Sequence, residues 1–270
     1  MDKMQQAQDF RDESEALYEL VKDLTEEQLA APTAFKGWTI DNVIGHLHVW
    51  NYAADLALTD PDAFQEYLTQ LRDKTGAGAT LAEFESEYIG GLTKHPLVTL
   101  WHDYLEGMTE RFGAADPAMR VKWAGPDMSV RSSITARLME TWAHGQEVYD
   151  LLGTVRQNAD RIRNIVVLGA NTYGWTFAVR RQQPPAPVPH LILTAPSGEV
   201  WSYNEPSATE RIEGAAEEFC QVVTQVRNIA DTDLKVTGAN AALWMSIAQC
   251  FAGVASQPPA PGTRVTLQRN

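Results

Sequence analysis

The chain has 270 residues, 44% of them hydrophobic, and 35 Asp and Glu against 22 Lys and Arg give a formal net charge of −13. So acidic a surface repels nucleic-acid phosphates and anionic membranes, which disfavours both as partners, and the length favours two domains. No run approaches the roughly 18 apolar residues of a membrane span, and the polar N-terminus does not resemble a signal peptide, so we expect a cytoplasmic protein.

Helical periodicity dominates the first half of the chain. Long helices are predicted at residues 4–23, 39–58, 95–113 and 129–153, with shorter ones at 25–29, 62–74 and 80–89 and a possible strand at 121–123. Thr25, Thr39 and Thr80 stand where helix N-caps belong, and Thr25 to Gln28 has capping-box spacing. Four long helical segments in an otherwise helical region favour a four-helix bundle.

The second half mixes helices and strands. We predict one helix at 161–182, a proline-rich break at 182–189, strands at 190–194, 199–203, 209–212 and 234–236, and helices at 215–226 and 240–252. The fold class is therefore α+β, a helix bundle at 1–157 followed by a smaller mixed α/β domain at 158–262 and a tail at 263–270. Cys220 and Cys250 stand in apolar surroundings and are predicted to be buried, reduced thiols.

Glu140 and His144 lie four residues apart on the predicted helix at 129–153. A helix turns about 100° per residue, so the two side chains point in directions only about 40° apart. A carboxylate and an imidazole in this arrangement can hold a divalent metal, although such a pair is more often a solvated or salt-bridged face. A metal site would need at least one further ligand.

Histidines elsewhere in the chain are candidates for that ligand. His46 and His48 share the helix at 39–58, but they point about 160° apart, so one metal cannot readily take both. Periodicity does not decide between them. His95 and His102 are expected at the surface or near helix ends, and His190 at the start of a strand is expected to be structural.

Two segments carry a resemblance to a known family. GWTIDNVIGHL at 37–47 and ETWAH at 140–144 resemble motifs of the DinB-like metal-binding helix bundles, and most of all the N-terminal domain of the mycothiol-dependent maleylpyruvate isomerases. The resemblance implies a zinc site made by His46, Glu140 and His144, with His48 as a neighbour. VTGANAALWMSIAQ at 236–249 resembles the sterol-carrier-like C-terminal domain of the same proteins. Residues 248–251 lack the Arg expected there for substrate carboxylates, a departure from the family pattern.

Two imidazoles and one carboxylate would leave a zinc or nickel ion with an open coordination position. The resemblance implies a low-molecular-weight thiol of the mycothiol type as co-substrate, which fits an isomerase or S-transferase acting on a small electrophile. The alternatives are a metal-binding protein without catalysis, and a carrier that holds an apolar ligand in its C-terminal domain.

Polar side chains near such a site are harder to assign. Arg137, Arg180, Arg181 and Arg227 are candidates for contacts to the thiol, with surface roles as the alternative. Glu147 lies one turn beyond His144 and is expected to be either an exposed helix carboxylate or a hydrogen-bond partner of that imidazole.

Overall fold

The computed structural model describes residues 3–266, which divide into two compact units, the first ending at Leu151 and the second beginning at Leu152. The domain boundary that the sequence predicts between residues 157 and 158 stays a prediction. Residues 267–270 of the predicted tail lie outside the described residues. None of the helices within 3–266 has both the length and the hydropathy needed to cross a bilayer.

The first unit is a four-helix bundle, as predicted. Its long helices α1, α3, α6 and α7 form a closed ring, because α1 and α3 each contact both α6 and α7. Shorter helices α4 and α5 pack against α3, and strands β1 and β2 pair antiparallel just before α7. The elements are α1 (Gln5–Val21), α2 (Glu26–Leu29), α3 (Ile40–Thr59), α4 (Pro61–Gly76), α5 (Leu81–Tyr88), α6 (Lys94–Ala114), β1 (Arg120–Val121), β2 (Met128–Ser129) and α7 (Val130–Leu151).

Local chemistry sets where the helices start. Thr25, Thr39 and Thr80 each form a complete capping box. The threonine side chain accepts a hydrogen bond from the backbone amide of the third helical residue, and the side chain of that residue accepts one from the threonine backbone amide. These bonds satisfy amides that a helix start leaves without partners. The box at Thr39 fixes the first turn of α3 and so the direction in which the next turn presents His46.

Helix α7 is buried on several sides, because it packs against both α1 and α3. Its buried residues include apolar Leu138 and Trp142 and also polar Arg137 and Glu147. The expectation that Glu147 is an exposed carboxylate is therefore wrong, since its exposed fraction is 2%. A helix that packs against two neighbouring helices has no face that is wholly exposed to solvent.

The second unit is built around a four-stranded mixed sheet, which confirms the predicted smaller α/β part. The strand order is β4-β3-β5-β6, with β3 and β5 parallel and the other neighbours antiparallel. A 3₁₀ turn at Asp160–Ile162 precedes the elements α8 (Arg163–Asn171), α9 (Tyr173–Ala178), β3 (His190–Thr194), β4 (Val200–Tyr203), β5 (Arg211–Ala215), α10 (Ala216–Val223), β6 (Lys235–Thr237) and α11 (Ala239–Ile247).

All three helices predicted in this unit end earlier than their sequence pattern suggests, the one predicted at 215–226 ending at Val223. The helix predicted at 161–182 breaks at Thr172, whose hydroxyl donates to the carbonyl of Leu168 across 2.8 Å. Helix α11 ends before Ala248, which is extended at φ −53° and ψ 138°. The next amides, of Gln249 and Cys250, donate to the Thr176 hydroxyl and the Val223 carbonyl instead of continuing the helix.

Candidate metal centre

The contact between α3 and α7 brings together the three side chains that the resemblance implies as ligands. His46 extends from the second turn of α3, and Glu140 and His144 from successive turns of α7. One ligand atom from each of the three lies within 4.8 Å of the others. Oε2 of Glu140 is 3.3 Å from Nε2 of His144 and 3.6 Å from Nε2 of His46.

His48 has a different environment, although it is only two residues from His46. Its ring meets the edge of Tyr104 at a centroid distance of 5.5 Å, and its buried Nδ1 has no hydrogen-bond partner among residues 3–266. Burial lowers the pKa of His48 to about 4, so the ring is neutral at physiological pH. His48 is not part of the cluster formed by His46, Glu140 and His144.

A carboxylate on α5 orients the ring of His46. Nδ1 of His46 donates to Oε1 of Glu85 across 2.7 Å, and the indole nitrogen of Trp50 donates to the same oxygen across 2.8 Å. Glu85 is buried, with an exposed fraction of 3%. When the ring is neutral, a proton held on Nδ1 leaves the lone pair of Nε2 facing Glu140, which is the tautomer that a metal ligand needs.

Sequence reasoning missed Glu85. The helix at 80–89 was predicted, but nothing in the sequence separates Glu85 from its neighbours Glu83 and Glu87, both of which are exposed. An apolar stripe could have marked the buried side of a longer helix, whereas α5 has only eight residues. Its burial arises from the packing of α5 on α3, which places this side chain beside His46.

The ionisable side chains of the cluster shift one another's pKa values. Burial would lower the pKa of His46, but the carboxylates of Glu85 and Glu140 outweigh it and raise the pKa to about 9. Burial would raise the pKa of Glu140, but hydrogen bonds to His144 and His46 and the charge of Arg137 hold it well below its usual value. Burial and the neighbouring charge of His46 lower the pKa of His144. Without a metal, the positive charge of the histidine pair therefore resides on His46.

A tight turn from Phe35 to Trp38 covers one side of the cluster. The Trp38 ring stacks on His144 at 5.7 Å and 12°, and the Phe35 ring meets His144 edge-on at 5.0 Å. The amide of Trp38 donates to the Phe35 carbonyl, and the two central residues, Lys36 and Gly37, have φ of 53° and 72°. Such a turn needs positive φ at both positions, which glycine adopts at no steric cost.

The cluster is shielded but remains reachable. The side chains of His46 and His144 are 11% and 12% exposed, and that of Glu140 is 24% exposed. The carboxylate thus marks the side from which solvent or a small molecule approaches. Trp38 is half-buried, and its ring covers one face of the imidazole of His144.

Arg137 lies within the bundle and not on its surface, so the surface alternative considered for it is wrong. Its exposed fraction is 2%, and its Nε donates to Oδ1 of Asn51 on α3 across 2.9 Å. Its Nη2 is buried, and no described residue forms a hydrogen bond with it. Burial lowers the pKa of Arg137, while Glu140, Tyr67 and Glu85 act to raise it. Helix α7 buries this guanidinium because it faces α3.

The other polar candidates lie in the second unit. Arg227 is buried, Arg180 is half-buried and Arg181 is exposed. His190 is structural as expected, since its Nε2 is 2.8 Å from the Ser202 hydroxyl on the neighbouring strand. Both cysteines are buried, as predicted, and they form no disulfide within residues 3–266.

The donor set has the chemistry of an open metal site. Imidazole nitrogen and carboxylate oxygen are both good zinc ligands, and three protein ligands leave one position for water or substrate. Within residues 3–266, the clustered side chains are His46, Glu140 and His144, and Glu85 binds the opposite nitrogen of His46. The residues present therefore fit a catalytic type of metal site better than a closed structural one.

A protein-family model and several known proteins are similar to this chain. The family model described as mycothiol maleylpyruvate isomerase N-terminal domain matches residues 10–149. Two uncharacterized proteins of Mycobacterium tuberculosis, from strains CDC 1551 and H37Rv, are each 39% identical over 258 residues, which span 94% of this chain and 96% of the relative.

Solved structures with a similar fold include a mycothiol-dependent maleylpyruvate isomerase and a histidine-to-alanine mutant of it. Their TM-scores are 0.53 and 0.51, and in both cases the match covers 81% of this chain and 87% of the other. At 14% sequence identity, these two structures support the fold alone.

Proposed function

Because the chain belongs to the family of the mycothiol maleylpyruvate isomerase N-terminal domain, we propose that its bundle holds a divalent metal through His46, Glu140 and His144 and activates a small thiol there. The observation that carries the proposal is the convergence of one ligand atom from each of these side chains to within 4.8 Å. Zinc is the metal we propose, with nickel as the alternative that the same ligands suit.

Each side chain has a defined part in this proposal. His46 would bind through Nε2, because Glu85 occupies its Nδ1. His144 would bind through Nε2, the atom nearest Glu140, while Trp38 and Phe35 hold its ring and exclude water from one side. Glu140 would supply the anionic ligand on the more exposed side.

When bound, the metal would supply Lewis acidity, stabilising the thiolate of a thiol that enters the open coordination position. The thiol comes from solution, since Cys220 is buried, with a pKa that burial raises well above its usual value. A mycothiol-type thiol is proposed because the family model is described by that co-substrate.

A thiolate can act on a small electrophile in two ways. Addition of sulfur to a conjugated carbon–carbon double bond leaves a single bond that can rotate, and expulsion of the thiolate then restores the double bond in the isomer. Displacement at a carbon that bears a leaving group instead forms a carbon–sulfur bond, and the leaving group departs with its electron pair. We propose an electrophile of one of these kinds and do not specify maleylpyruvate, because residues 248–251 lack the expected Arg.

Metal analysis of purified variants tests the proposed site. His46→Ala, Glu140→Ala and His144→Ala are expected to lose most of the metal, whereas His48→Ala is the matched control from the same helix and should retain it. Equal metal in the wild type and the three ligand variants would refute the site.

Thiol ligation is tested separately by cobalt substitution. Titration with 2-mercaptoethanol should produce a sulfur-to-cobalt charge-transfer band in the wild type and in His48→Ala. A metal that is specifically bound but whose spectrum does not respond to thiols would instead support the alternative of metal binding without catalysis.

A further inference from the structure

Arg137 is a buried cation with little direct compensation. Its single described hydrogen bond is from Nε to Asn51, and its Nη2 is buried without a hydrogen-bond partner in the part of the chain that the structure describes. Within the described residues, the ion pairs of the cluster join carboxylates to His46 and His144, and none includes Arg137. A buried charge without a close counter-ion costs free energy, so its presence calls for a compensating interaction.

The position of Arg137 indicates what compensates it. It precedes Glu140 by three residues on α7, which puts the two side chains on the same helix face about one turn apart. Asn51, its partner, lies five residues after His46 on α3. Its hydrogen bond to Asn51 holds the guanidinium at the contact between α3 and α7. It lies close enough to the cluster to interact electrostatically with Glu140, Glu85 and His144.

We infer that Arg137 is a positioning residue for charge, which gives the metal-loaded cluster a net positive charge so that its open coordination position prefers an anionic to a neutral ligand. The inference rests on the metal site proposed above. Arg137 itself need not touch the ligand, because charge acts across the distances inside a bundle core.

The charge balance supports this role. Glu85 and Glu140 each carry one negative charge, Arg137 carries one positive charge, and the two imidazoles are neutral when they act as ligands. A divalent metal brings the set to one net positive charge, and a bound thiolate or similar anion brings it to neutrality. Without Arg137, the metal-loaded set would already be neutral, and an anion would leave an uncompensated negative charge in a shielded site.

This role makes two predictions of opposite sign. The positive charge of Arg137 repels the metal, so its removal should strengthen zinc binding. The same charge attracts an anionic ligand, so its removal should weaken that ligand. A residue that only supports the fold would weaken both, because a loosened cluster holds neither metal nor ligand.

Arg137→Met tests the inference in the full-length protein. Zinc affinity is measured by competition with a chromogenic chelator, and the cobalt-loaded protein is titrated at mildly alkaline pH with azide, an anion, and with imidazole, a neutral ligand. We expect zinc affinity to rise and azide affinity to fall by about tenfold each, with imidazole affinity unchanged.

Three further variants complete the experiment. Asn51→Asp, which places a carboxylate against the guanidinium, should shift both affinities in the same directions even if Arg137→Met folds poorly. Arg137→Lys keeps the charge and should stay within about threefold of the wild type. Arg131→Met removes an exposed arginine from the same helix and should change nothing.

The outcomes separate this inference from the metal site on which it rests. A fall in both zinc and azide affinity, an equal change for azide and imidazole, or no change at all would overturn the role of Arg137. Zinc binding by the wild type no tighter than by His46→Ala would instead refute the metal site, and the inference with it.

Discussion

Nδ1 of His46 donates to Oε1 of Glu85 across 2.7 Å, so that Nε2 of the same ring faces Glu140. The two residues belong to helices separated by the whole of α4, and both are buried. A carboxylate behind a ligating imidazole fixes its tautomer and orientation and increases its basicity. This contact prepares His46 to bind a metal through the nitrogen that faces the cluster.

Replacing Glu85 is therefore expected to weaken metal binding even though all three proposed ligands remain. Glu85→Gln should reduce zinc affinity by about 10- to 100-fold, because an amide is a weaker acceptor for the Nδ1 proton. Glu87→Gln, which changes an exposed glutamate on the same helix, should leave the affinity unchanged. Competition with a chromogenic chelator measures both variants, and identical affinities would contradict the role of Glu85.

Metal uptake should release protons in a pH-dependent way. The pKa of His46 is raised to about 9, so its ring is protonated at neutral pH and must lose that proton to bind a metal. We expect about one proton released per metal at neutral pH, and zinc affinity that increases about tenfold per pH unit until it levels near pH 9.

Calorimetry in buffers of different ionisation enthalpy counts these protons. His48→Gln serves as the control, because the pKa of His48 is lowered to about 4 and its ring is already neutral at physiological pH. Metal binding at neutral pH without proton release would show that the ring of His46 is not charged in the metal-free protein.

The buried carboxylate of Asp55 should contribute to stability and not to the metal site. It accepts from the Tyr104 hydroxyl across 2.5 Å and from Nε of Arg111 across 2.9 Å, which ties α3 to α6. Tyr104→Phe removes one of these bonds and should lower the free energy of unfolding by about 1–3 kcal/mol. Denaturant unfolding measures the loss, and zinc affinity should not change. Weakened metal binding with unchanged stability would contradict this assignment.

The two cysteines should be unreactive in the folded protein. Both are buried, and burial raises the pKa of Cys220 well above its usual value, so its thiol stays protonated over the range in which a free cysteine ionises. We expect no alkylation of Cys220 by iodoacetamide in the native state as the pH rises to mildly alkaline values, and complete alkylation in denaturant, as measured by mass spectrometry. Rapid alkylation of Cys220 in the native protein would contradict this prediction and would make a thiol of the protein a candidate nucleophile.

Much of the fold was accessible from the sequence because it is determined locally. Thr39 and Thr80 were recognised as helix starts, and both form the predicted caps. The predicted bundle followed by a mixed sheet is confirmed, since apolar periodicity records which elements form. The break at Thr172 was not predicted, because the helical pattern of the sequence continues through this residue. In the structure, the helix ends there.

The site was only partly accessible. The spacing of Glu140 and His144 placed both on one helix face, and the structure brings them together with His46 as the family resemblance implies. Whether a metal binds there stays a prediction. Glu85 went unnoticed and Glu147 was expected to be exposed, because burial of a polar side chain depends on neighbouring helices that the local pattern does not describe.

The sequence by itself determined which helices form, where most of them begin, and that Glu140 and His144 share a face. Only the tertiary structure decided that His46 and not His48 lies against that face, that Glu85 orients His46, and that Arg137 is a buried cation beside the cluster. The physical reason is that periodicity fixes the direction of a side chain about its own helix axis. What lies in that direction depends on how helices far apart in the chain pack together.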